Sequence, residues 1–116
     1  MERAMKSFIA IVTAVAAQAA PPDAFSVCSG CHVATKETPS TIGPNLFGVT
    51  QRKSGTLPGF SYSPAMTSAG LPWNAANLKA FVMRPQKTVP GTRMPYGGQM
   101  DAAKAQVIVS YLESLK

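Results

Sequence analysis

The sequence predicts an all-α domain of three to five short helices joined by long ordered loops. Three observations carry that prediction. No stretch sustains the apolar–polar alternation of a strand. Three segments open on residues that cap or start helices, at Ser63, Asn74 and Asp101. Ten prolines and nine glycines punctuate the remainder, which marks chain outside regular elements.

Taken in order, Asp23 is placed to cap a short helix running into "SVCSGCHVAT" at Ser26. From Thr38 to Pro64 the chain reads as loop, because "TPSTIGPNLFGV" and "RKSGTLPGFSYSP" carry Gly or Pro every few residues. Ser63–Pro64 starts a helix with proline at its first position, and Gly70 stops it. Asn74 caps "AANLKAFVMR", which sets Leu78, Phe81 and Val82 on one face and closes at Pro85. "KTVPGTRMPYGGQ" is a further loop. Asp101 then caps the last helix, with Ile108, Tyr111, Leu112 and Leu115 along one apolar stripe.

The 116 residues suffice for one small domain. Residues 1–19 read as a secretory signal peptide and 20–116 as the domain. Arg3 and Lys6 precede the apolar run Phe8–Ala17, and Ala17-Gln18-Ala19 offers small residues for cleavage. A membrane-crossing helix needs about 20 apolar residues, and Pro21 and Pro22 end this run too early. Removal of residues 1–19 leaves 97 residues, with nine Lys/Arg against four Asp/Glu and a formal charge of +5. At that size a hydrophobic core is marginal without a disulfide, metal or cofactor. A Cys28–Cys31 disulfide would close too small a loop to constrain much of the unfolded chain.

Both cysteines and the only histidine fall within five positions, Cys28, Cys31 and His32. A structural zinc site wants four such ligands, and the chain has three. A thioredoxin-like dithiol belongs beside a βαβ pattern, which this sequence does not have. C-x-x-C-H attachment of a c-type haem uses all three residues: two thioethers from Cys28 and Cys31, and an iron ligand from His32. A haem would also supply the apolar body around which short helices can pack. Methionine is the usual second axial partner of histidine in electron carriers. Met83 sits in the inward-packing helix and reads as core. Met94 lies in a loop stiffened by Pro90 and Pro95, which lowers the ordering cost of holding a ligand, and it is favoured over Met66 and Met100.

With "CSGCH", "IGPNLFGV", "RKSGTLPGFSYS", "GLPW", "VPGTRM" and "SYL" in this order, the chain resembles class I cytochromes c, above all the small bacterial carriers related to mitochondrial cytochrome c. The resemblance runs from Phe25 to Leu112. It implies a helical fold wrapped around one covalent haem c, His/Met ligation, and electron carriage rather than catalysis. "PGTRM" places the axial methionine at Met94. "GPNL" places at Pro44 the carbonyl that accepts the second ring N–H of His32. Tyr62 and Trp73 match residues that hydrogen-bond a haem propionate, Arg52 matches a positive charge beside it, and Thr92 lies near the methionine loop and the second propionate. The chain also departs from the family pattern. Pro21 stands where a helical glycine is common, so the crossing of first and last helices by Phe25, Ile108 and Tyr111 is expected to be reduced. Phe81 replaces a tyrosine whose hydroxyl approaches the methionine sulfur. Met66 replaces a polar asparagine of the pocket, which keeps it a candidate ligand.

The implied role is a monomeric periplasmic carrier of single electrons between respiratory or photosynthetic complexes: a cytochrome bc-type complex or dehydrogenase as donor, and a terminal oxidase, reductase or reaction centre as acceptor. Lys36, Arg52, Lys53, Lys79, Arg84, Lys87 and Arg93 suit steering onto redox proteins with acidic docking surfaces. No recognition motif or basic stripe supports nucleic-acid binding, and no stable membrane anchor is expected. The rival classes are a haem enzyme or gas sensor with an open iron site, and a docked subunit of a periplasmic dehydrogenase.

Overall fold

The computed structural model describes residues 20–116. The signal-peptide reading of residues 1–19 lies outside the described residues. Five α-helices occur there: α1 (Ser26–Ser29), α2 (Pro64–Ala69), α3 (Ala75–Met83), α4 (Pro85–Thr88) and α5 (Ala102–Ser114). A 3-10 turn at Asp23–Phe25 leads into α1, and another spans Val49–Gln51. Among the described residues the sole sheet-like pairing is an isolated antiparallel bridge between Lys53 and Pro72.

The helix starts follow local chemistry. The Ser63 hydroxyl accepts from Met66 N–H, with Pro64 at the first helical position, and Gly70 ends α2 in the left-handed conformation at φ 59°. The Asn74 side chain accepts from Asn77 N–H to open α3. The Asp101 carboxylate accepts from Ala103 and Lys104 N–H to open α5. Asp23 does not cap. It lies inside the first turn, Pro22 holds the cap position, and no side chain bonds there. Pro85 ends α3 as expected, but it also begins α4, because its fixed φ suits a first helical position.

The core forms where α3 packs on α5 and where the N-terminal 3-10 turn crosses α5. Leu78, Phe81 and Val82 face inward from α3, and Ile108, Tyr111, Leu112 and Leu115 from the α5 stretch. Phe25 meets Tyr111 at a ring-centroid distance of 4.8 Å and an interplanar angle of 59°. The first helical segment is short and mixed, so this aromatic contact carries the crossing that a longer helix would otherwise spread. Ala105 and Val109 are fully buried as well, widening the α5 stripe beyond the four residues that periodicity picked out.

Candidate functional site

A mostly apolar cavity of about 410 Å³ opens between these elements, within the range of small-molecule and cofactor sites. Phe25, Leu78, Phe81 and Ile108 form much of its wall. Cys28, Cys31 and His32 line it from one stretch, and Thr92 and Met94 from the loop after α4. Pro44, Arg52, Tyr62 and Trp73 complete the set named from sequence. All nine residues therefore reach one space, although they come from six separate parts of the chain.

The histidine side is built from backbone bonds. Cys31 and His32 N–H both donate to the Cys28 carbonyl, at 3.0 and 2.9 Å. Gly43 N–H donates to the Cys31 carbonyl at 2.8 Å, and Leu46 N–H to Val33 at 2.8 Å. The Thr41 hydroxyl donates to the same Cys31 carbonyl at 3.0 Å. His32 Nδ1 lies 2.8 Å from the Pro44 carbonyl oxygen. A carbonyl can only accept, so Nδ1 carries the proton and Nε2 is left with its lone pair free. Burial lowers the imidazole pKa, the Pro44 bond opposes that, and the nearby Arg52 charge lowers it further. The ring is thus held neutral, which is the ligating form.

Gly43 was read from sequence only as part of a loop, yet it sets this geometry. A Cβ there would collide with the His32 ring, standing 2.6 Å from Nδ1. Asn45 was likewise missed. It is buried, its side-chain N–H groups donate to the Thr35 and Thr38 carbonyls, and its Oδ1 accepts from Phe47 N–H. One asparagine therefore ties two loops together behind Pro44. The "GPNL" run was the available signal for both.

Cys28 and Cys31 are half-buried and are not joined to each other in a disulfide. Burial pushes the Cys28 thiol up, and Cys31 beside it adds to the rise. Among the described residues no cluster of three or more His, Cys, Asp or Glu could hold a metal ion.

The polar edge of the cavity centres on Arg52. Its guanidinium is half-buried and donates to the Phe47 and Asn45 carbonyls. Burial pulls its pKa down and neighbouring Tyr62 opposes the change. The Tyr62 hydroxyl accepts from Leu57 N–H at 3.2 Å, which leaves its own proton free to donate. A half-buried cation facing a cavity is costly without an anion. An apolar plate bearing carboxylates fits this lining: its body would meet the apolar wall, and its acids would find Arg52 and Tyr62.

The methionine side is a loop. Met94 N–H donates to the Thr92 hydroxyl at 3.4 Å, and Tyr96 N–H to the Met94 carbonyl at 2.9 Å. Burial raises the Tyr96 pKa and nearby Cys28 raises it further, so the loop reaches back toward the cysteine stretch. Met66 is the other methionine on the cavity wall among the described residues. Met83 packs against the core, and Met100 is exposed, so neither reaches the cavity.

Comparison with known proteins agrees with this architecture. Cytochrome c2 of Rhodopila globiformis is 43% identical over 91 residues, covering 78% of this chain and 85% of its own. Cytochrome c2 of Rhodoblastus acidophilus is 39% identical over 102 residues, covering 84% and 95%. Among solved structures, cytochrome cH from Methylobacterium extorquens superposes with a TM-score of 0.71 at 38% identity, covering 78% of this chain and 90% of its own. No family model matches the chain. The chain belongs to the class I cytochrome c family. It carries one covalently attached haem c and is an electron carrier rather than an enzyme.

Proposed function

We propose that this cytochrome shuttles single electrons between respiratory or photosynthetic complexes in the periplasm, with His32 and Met94 as axial iron ligands. Cys28 and Cys31 provide the thioethers. Pro44 orients His32, while Arg52, Tyr62, Trp73 and Thr92 receive the propionate edge. The bound haem supplies a ferric/ferrous couple that gains or loses one electron.

The observation that carries the ligand assignment is the His32–Pro44 bond, which frees Nε2 into a cavity that Met94 also lines. His32 and Met94 would together hold the iron, which would leave no position open for a substrate. The apolar wall excludes water, so little has to reorganise when the charge changes. Residues 1–19 act in this reading as a cleaved signal peptide that delivers the chain to the compartment where haem is attached. Among the described residues no helix is long and apolar enough to cross a membrane.

Arg93 is exposed and also lines the cavity, which sets positive charge at its mouth. That charge suits weak, fast encounters with acidic surfaces on donor and acceptor complexes. The test is carbon monoxide uptake by the ferrous holoprotein. Negligible uptake is expected when both axial positions are filled, and ready uptake would turn the reading toward an open-site enzyme or sensor. In parallel, electron exchange with an acidic partner complex should slow as salt rises, and a flat salt response would remove the steering role.

A further inference from the structure

We propose that Gln86 is a positioning residue for Met94, acting as a clamp on the backbone that leads into the ligand loop. The proposal rests on Met94 being the sulfur ligand. Gln86 is the second residue of α4. Its side-chain amide spans two successive residues of the following loop. Nε2 donates to the Thr92 carbonyl at 2.8 Å, and Oε1 accepts from Gly91 N–H at 3.2 Å. Both ends of one planar amide are thus used on one short piece of backbone, which fixes its position and its rotation together.

The platform beneath the clamp is firm. Pro85 and Val89 are almost fully buried on either side of Gln86. Thr88 N–H donates to the Arg84 carbonyl and Val89 N–H to the Pro85 carbonyl, at 3.0 and 2.9 Å. Thr92 N–H donates to the Val89 carbonyl at 3.0 Å. Past this point the support thins, because the bonds of Met94 and Tyr96 are internal to the loop. The chain is caught again only at Gln99, whose N–H donates to the Val82 carbonyl at 2.9 Å. Gln86 therefore governs one of the two anchors between which Met94 is suspended. Its own side chain is exposed, so no core packing explains its geometry.

The probe is imidazole, which binds ferric iron only when the sulfur leaves. In Gln86→Ala holoprotein the imidazole affinity is expected to rise about tenfold, the size of a loss of hydrogen bonding worth about 1.4 kcal/mol. Amide hydrogen exchange at Gly91 should quicken by a similar factor, with exchange in α5 unchanged. Alanine is the better helix former, so weakening of α4 does not produce this pattern. Lys87→Ala, on the same helix without those bonds, should leave both readouts at the wild-type level.

Unchanged imidazole affinity in Gln86→Ala overturns the proposal, whatever Gly91 exchange does. An equal rise in Lys87→Ala overturns it as well, since any disturbance of α4 would then suffice. If the wild type already binds imidazole as readily as Met94→Ala does, the ligand assignment has failed and the clamp's purpose falls with it. If only the difference between wild type and Gln86→Ala vanishes, the clamp alone has failed.

Discussion

The two sides of the cavity are built by different means. On the His32 side, the ring, the Cys31 carbonyl and the Gly43–Leu46 run are joined by bonds between residues 12 to 13 apart in sequence, each 2.8 Å long. On the Met94 side, the bonds of Met94 and Tyr96 reach no further than two residues, and the loop is tied only at its ends. The His32 side and the Met94 side therefore differ in local stability. Disturbance of the cavity should release the sulfur first, because regions with few anchoring contacts open at lower free energy.

The largest expected effect is at the far anchor of the sulfur loop. Gly98 adopts φ +110°, and a Cβ there would run into the Met83 carbonyl at the end of α3. Gly98→Ala meets both backbone strain and collision with main chain, so a loss of about 3 kcal/mol is expected. Urea denaturation of the holoprotein measures it, and weakening of the sulfur–iron charge-transfer band should accompany it. A variant of wild-type stability would mean that the backbone at Gly98, beside the Gln99 anchor, is slack.

Gly43→Ala tests the opposite side. The new Cβ meets a side-chain ring rather than backbone, and the expected cost is about 2 kcal/mol. Imidazole resonances of His32 should shift while the sulfur band survives. If the sulfur band disappears first, the two sides are not separable in the way their bonding suggests.

Much of this contrast was legible in the chain. Ser63, Asn74 and Asp101 signal their helices through side-chain chemistry that acts within three residues. Cys28, Cys31 and His32 announce one shared site by their spacing, and all three line the cavity. Other features depend on distant contacts. Asp23 has the right side chain for a cap, but the chain enters through Pro22 in a 3-10 turn. Ser54 is buried because its hydroxyl accepts from Leu71 N–H, 17 residues away. Gln86 resembles any surface glutamine until the backbone of Gly91 and Thr92 is brought over it. Ala105 and Val109 become buried only when α3 and the N-terminal turn close on α5.

Smaller effects sharpen the comparison further. Met66→Leu keeps the volume of a buried cavity residue and should cost under about 1.5 kcal/mol. It should leave the sulfur band intact, and loss of the band would make Met66 the ligand. Asp101→Ala removes the α5 cap and is expected to cost about 1 kcal/mol. It should lower the urea midpoint without favouring either side of the cavity, because the cap lies outside both. Selective loss of the sulfur band in that variant would show that α5 controls the loop.

The central claim is that sulfur from a loop and nitrogen from the C-x-x-C-H stretch meet in one cavity. The ferric absorption spectrum of Met94→Ala, compared with wild type, tests it most directly. The wild type should show a red sulfur-to-iron charge-transfer band and the variant none, with the haem still covalently attached. A band that persists in Met94→Ala would contradict it.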